Sequence, residues 1–484
     1  MSSQGKIYKS EGITHSEKYL IELCNNSFLS LWSYPNVFRN RNKELADVVV
    51  VFDNHILVFS DKACEYPATG DAKLSWRKWF KKSVLKSAEQ LWGAERWLRF
   101  YPGRVFTDRM ASQKLPLEIQ ENAIIHLIAV AKGVAKPCKK YFNGGSGSLI
   151  IKSDIIGSDA HIDPFVIGDI NPNETFIHVF DDTTLDIILQ TLDTISDFTQ
   201  YLSRKEELFR IRKMNLLATG EEDLLPFYLA RMKNGRHDFV FDHDGPLRID
   251  EGEWIKFNQN PRRIAQVMED SVSYFWDALI ERFSNNALNA TQYRVSDGGF
   301  SDSEKILRFF AGEPRNRRRL LSGSLIHLLE NTPIDVCACR YTIPDEKEGP
   351  YYVFAVFPNV KDLSDDLYLQ VRAHYLLACC MVFKLVYPTA DNIVGYATLP
   401  GKDGFLFSED ATFFDARDWN EDLQMEAIEY QRRYKILMNP QPYDVYQMEY
   451  PKSPIEKNAS FPLNGNCPCG SGVNYRACHG VIKE

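Results

Sequence analysis

Residues 43–62 read KELADVVVVFDNHILVFSDK. Two apolar runs flank Asp53-Asn54, a pair suited to the two-residue turn of a β-hairpin. With that turn, Phe52 faces His55, and counting back along both strands puts Asp47 opposite Ser60. Side chains two apart share a face, so Lys62 lies with Asp47 and Ser60 while Asp61 points away. Strands that are apolar on both faces belong inside a sheet covered by helices. An acid and an amine at the rim of such a pair therefore call for a reason.

The flanks extend this into a unit. Residues 16–33, SEKYLIELCNNSFLSLWS, predict a helix capped by Ser16, with Leu20, Leu23, Cys24, Ser27, Phe28 and Leu31 on one face and Pro35 beyond its end. Residues 74–100 predict a second helix. Trp76, Phe80, Val84, Ala88 and Leu91 share its apolar stripe, and Arg77, Lys78, Lys81, Lys82 and Lys86 lie elsewhere. ENAIIHLIAVAKG, 121–133, predicts a third buried strand. The order helix–strand–strand–helix–strand describes an α/β domain over residues 1–140.

A glycine-rich break, FNGGSGS at 142–148, is expected to separate it from a mixed helical and α/β region at 149–436. There SLIIKSDI and ETFIHVF read as short strands, with Asp181, Asp182 and Thr183 capping a helix through LDIILQTLDTISDFTQYLSRKEELFR. YYVFAVFP, a long helix ending HYLLACCMVFKLVY, and NIVGYATLP suggest a second small α/β layer. Five prolines between 437 and 465 mark a linker, and 466–484 form a short separate module. The fold class expected is mixed α/β.

The chain has 484 residues, 44% hydrophobic and 25% charged, as in soluble globular proteins of about three domains. No run of about 18 apolar residues and no apolar leader occurs, so the expectation is a cytoplasmic protein without membrane contact. A net charge of −8 means that nucleic acid would need a local basic surface. The basic helix at 77–86 reads either as an ordinary solvated face or, with lysines interleaved among Trp76 and Trp79, as a surface suited to a phosphate backbone. Ten cysteines suggest reduced thiols and one metal site. Cys337, Cys339, Cys379 and Cys380 lie in apolar runs and read as core residues. The basic cluster RNRRRLL, 315–321, at a helix start reads as paired with nearby acids, with a grip on phosphate as the alternative.

The front motif has the residue types of phosphodiester hydrolysis. A carboxylate can hold a divalent ion that generates hydroxide, and a lysine can neutralise charge developing on phosphate. The pattern of aspartate, apolar strand, turn, second strand and acid-x-lysine resembles the PD-(D/E)xK nucleases, particularly Mrr-like restriction endonucleases. Asp47 and Lys62 match family positions, and the preceding helix and the subsequent helix containing Gln90 match its order, over residues 15–133. The resemblance implies a restriction-endonuclease-like domain acting on DNA or RNA with Mg²⁺ or Mn²⁺. The family's second acid falls at Ser60. A helix glutamate, Glu17 or Glu22, would then complete the coordination, and Glu17 is taken as the catalytic candidate with Asp47 and Lys62. Glu44 or Glu65 at the edge, or Asp61 in a shifted register, are alternatives, and without any of them the fold is kept without the chemistry.

The tail motif is NCPCGSGVNYRACHG, 466–480. Cys467 and Cys469, then Cys478 and His479 eight residues on, make two tight ligand pairs around a Gly-Ser-Gly turn, suited to a closed tetrahedral Zn²⁺ site. Structural zinc contributes on the order of 10 kcal/mol to such short modules. The spacing C-x-C-x8-C-H resembles the SEC-C motif, which implies docking to a protein or ribosomal partner. The readings are thus a metal-dependent nuclease with a docking tail, or a non-catalytic adaptor with a degenerate nuclease fold.

Overall fold

The computed structural model describes residues 6–233, 236–241, 245–293, 298–344, 349–360, 363–400, 408–440 and 448–451. These fold as a mixture of helices and strands and divide into two compact units. The first holds residues up to 265 with 280–301, and the second 266–279 with those from 302 onward.

In the first unit, α1 (His15–Phe28) begins at a capping box in which Thr14 and Glu17 each bond the other's amide. The cap is therefore Thr14, not Ser16. The helix also ends earlier than expected, because Leu29 turns to a φ of 66°. The next element is a strand, β1 (Ser33–Asn40), antiparallel to β2 (Lys43–Phe52) with Pro35 opposite Val48. At the sheet edge a proline interrupts hydrogen bonding on one side only, which makes Pro35 compatible with a strand. β2 and β3 (His55–Ala63) pair from Phe52↔His55 to Val48↔Phe59, as the Asp53-Asn54 turn requires, with Asp53 at a φ of 52°.

The helix expected at 74–100 is α2 (Ala72–Phe80), a π turn at Lys81–Leu85, and α3 (Lys86–Phe100). Trp76, Phe80, Val84, Ala88 and Leu91 are all buried, as their spacing predicted, whereas Gln90 is exposed. This helical crossover delivers β4 (Ile124–Lys132) parallel to β3. After α4 (Ala135–Phe142), β5 (Ile150–Ile156) and β6 (Val166–Asp169), β7 (Ile177–Phe180) pairs in parallel with β4, closing a sheet of order β1-β2-β3-β4-β7.

The glycine-rich stretch 142–148 consequently lies inside the first unit. Carboxylates pin its end: the Leu149 amide donates to Asp181, Ser148 Oγ to Glu222 and the Ser146 amide to Glu251. The helix expected after Asp181 is divided into α5 (Thr184–Thr191) and α6 (Ile195–Arg210), the latter capped by Thr194. Phe28, Phe59, Phe180 and Phe198 pack where α1 and α6 cover the sheet. The chain continues through β8 (Leu216–Ala218), α7 (Glu221–Leu229), a two-stranded pair β9 (Met232–Lys233) and β10 (Arg236–His237), and β11 (Leu247–Ile249). β11-β8-β5-β6 form a second sheet. Next come α8 (Glu253–Gln259), α9 (Pro261–Asp270), α10 (Tyr274–Asn289) and α11 (Phe300–Ala311).

The second unit contains α12 (Arg315–Asn331), β12 (Ala338–Thr342), β13 (Tyr351–Val356), α13 (Asp365–Val386), β14 (Asn392–Thr398), β15 (Glu409–Asp415) and α14 (Glu421–Tyr434). β13 and β14 pair in parallel through the α13 crossover, the small α/β layer that the pattern suggested. Cys379 and Cys380 are buried in its core, but Cys337 is exposed, contrary to its apolar surroundings in sequence. The basic cluster at the start of α12 is largely internal. Arg315 and Arg318 grip Asp277, and Arg319 pairs with Asp270. α13 is long and apolar enough to cross a membrane by length and composition. Its residues Ala378–Phe383 nevertheless lie in this unit's core, and its buried Arg372 pairs with Asp410.

Candidate functional site

The rim that carries Asp47 and Lys62 is a fork in the sheet. The β2–β3 ladder stops at Val48↔Phe59. Beyond that point β2 continues to Lys43 paired only with β1, and β3 continues to Ala63 paired only with β4. Asp47 bridges the gap, its Oδ2 accepting the Asp61 amide at 2.5 Å in place of the next rung. Burial pushes the Asp47 carboxyl up to about 6, opposed by that hydrogen bond and by the nearby Lys62 ammonium, and reinforced by Glu44 and Asp61. Lys62 is near enough to act on Asp47 electrostatically, but no hydrogen bond or ion pair joins the two among the described residues.

The other acids of the fork have partners of their own. Ser60, at the second-acid position of the nuclease pattern, is buried, and its hydroxyl meets Ser87 of α3 at 3.3 Å. Asp61 points to the opposite face, as the register required. There it accepts from Ser16 and pairs with Lys132 at 3.6 Å, while Lys132 also donates to Ser16 at 2.7 Å. Asp61 Oδ1 is buried and accepts no hydrogen bond among the described residues. Glu17 belongs to the α1 cap. Burial opposes its charge, yet donors from Ile13, Thr14 and Asn36 hold its carboxyl below the usual range. Asn36, on β1, also donates to Glu44 at 3.1 Å.

A divalent site needs several oxygen donors converging on one point. Among the described residues no group of three or more His, Cys, Asp or Glu side chains is placed to hold a metal ion. The residues at the fork therefore do not fit the Mg²⁺ or Mn²⁺ site expected of Asp47, Lys62 and Glu17. Three parts of this rim were invisible in the linear pattern: β1 with Asn36, the Ser16–Asp61–Lys132 cluster, and the π turn. The Thr14-x-x-Glu17 capping-box spacing was the one available signal that Glu17 had another role.

Cys467, Cys469, Cys478 and His479 lie outside the described residues. Residues 465–480 match the SEC-C motif. The match spans the CPCGSG turn and the closing Cys-His pair, and this motif is commonly zinc-binding. No curated protein and no solved structure matches the chain.

Proposed function

We propose that the protein is a non-catalytic cytoplasmic adaptor. In this reading its first unit is a degenerate nuclease fold, and its SEC-C tail, folded around Zn²⁺ by Cys467, Cys469, Cys478 and His479, docks a protein or ribosomal partner. The observation that carries this reading is the commitment of the fork's acids within the chain. Asp47 closes the sheet, Asp61 is neutralised by Lys132, Glu17 caps α1, and a serine stands where a second metal-binding acid would be needed.

A nuclease assay on the purified chain with Mg²⁺ or Mn²⁺, alongside Asp47→Ala and Lys62→Ala, tests the first part. No cleavage above buffer is expected. Cleavage that both substitutions abolish would reject the adaptor reading and establish a hydrolase at the fork. Metal analysis of the full chain against Cys467→Ser/Cys469→Ser tests the second part. One zinc per chain is expected, lost in the double variant, and unchanged zinc content would rule out these ligands.

A further inference from the structure

The helical crossover places an unusual surface at the forked end of the sheet. β3 leaves the fork at Ala63 and enters α2, and β4, parallel to β3, leaves the same end and enters α4. Gly133, between β4 and α4, lies so close to the Cys64 carbonyl that a Cβ would come within 2.0 Å of it. The two helices meet through Phe165, whose ring lies 5.7 Å from Trp76 of α2 and 5.3 Å from Tyr141 of α4.

Both helices are cationic on their outer sides. Arg77, Lys78, Lys81 and Lys82 are exposed along α2 and the π turn, and Lys139 and Lys140 are exposed on α4. None of these six forms an ion pair among the described residues. In a chain of net charge −8, six such cations on two adjoining helices form a local reversal of sign. Lys81 and Lys82 stand on the π turn, a helix irregularity common at functional sites. Next to Lys139 and Lys140, Tyr141 and Phe142 are 45% and 46% exposed, set edge to face with centroids 4.8 Å apart.

We propose that α2 and α4 form a docking surface for a single-stranded polynucleotide. The lysines and arginine follow its phosphates, and Tyr141 and Phe142 receive unstacked bases. Charge complementarity identifies a polyanion. The exposed rings beside the lysines select a single strand over a duplex, because bases paired inside a duplex offer no free faces to stack on. The proposal adds the partner of the first unit to the adaptor reading and does not depend on whether the fork cleaves.

The test is fluorescence anisotropy of the zinc-loaded full chain with 25-mer dT and rU oligonucleotides in buffer without added Mg²⁺ or Mn²⁺, with oligonucleotide length checked after each titration. Wild type is expected to bind with a salt slope of roughly −3 to −4, corresponding to about five neutralised phosphates. Lys78→Glu/Lys82→Glu should lower affinity at least about tenfold and flatten that slope. Tyr141→Ser/Phe142→Ser should weaken binding by about tenfold or more with the slope unchanged, the signature of lost stacking. All positions changed are exposed, and circular dichroism verifies folding. Tighter binding to the matched duplex, or affinity unmoved by both double variants, would overturn the proposal. Cleavage with Mg²⁺ alongside unaltered effects of these variants would overturn the adaptor reading alone. The dT and rU arms report whether DNA or RNA is preferred.

Discussion

Replacing Asp47 by Asn tests whether this carboxylate closes the fork in a buried setting. The amide keeps an oxygen that can accept the Asp61 N–H but removes the ionisation. Burial raises the native Asp47 carboxyl from 3.8 to about 6. The native state therefore holds the proton more tightly than the unfolded chain, and the wild type loses stability as pH rises through this window. About two pH units at 1.36 kcal/mol each give roughly 3 kcal/mol. Asp47→Asn should gain about that much on wild type between pH 4 and pH 7, most of it by pH 6. Melts followed by tryptophan fluorescence should show the Tm difference widening in favour of the variant by roughly 6 °C, taking about 2 °C per kcal/mol for a unit of this size. His126, held down to about 3 by burial and by the neighbouring His55, drives stability the other way in acid. It lies at the far end of the sheet, so its contribution cancels in the difference between variants. A Tm difference that stays flat from pH 4 to pH 7 would refute the buried placement of Asp47.

Two further substitutions probe the first unit. Lys205 and Glu221 form a buried ion pair, with side chains 5% and 3% exposed, and Tyr201 also donates to Glu221. Lys205→Met should cost about 3–5 kcal/mol by stranding the carboxylate, and Lys205→Met/Glu221→Gln should recover much of it in denaturant titrations. A double variant no better than the single would show that the pair is not coupled. Gly133→Ala meets both a φ of 95° and the Cys64 carbonyl, and should lower stability by more than about 2 kcal/mol through a shift of α4 away from the end of β3. A loss below about 1 kcal/mol, typical of glycine to alanine at an unstrained site, would contradict that close approach.

Local signals in the chain determined much of the first unit. The Asp53-Asn54 turn and period-two patterning set the register from Phe52↔His55 to Val48↔Phe59, because a one-residue slip would reverse every side chain. They did not show that the ladder ends one pair short of the expected Asp47–Ser60 rung. The 3.6-residue spacing of Trp76, Phe80, Val84, Ala88 and Leu91 named the buried stripe of the crossover helix, since that repeat sets which side chains face the sheet. The C-x-C-x8-C-H spacing marked the SEC-C motif at 465–480, because residue spacing within a short loop is itself a local property. Tertiary structure alone decided where strands part and which distant groups meet. The end of the β2–β3 ladder depends on β1 and β4 drawing the two strands apart. The neutralisation of Asp61 depends on Ser16 and Lys132, 45 and 71 residues away in sequence. The joining of cationic α2 to aromatic α4 depends on Phe165. Each of these is a competition among partners remote along the chain, and only the folded arrangement sets its outcome.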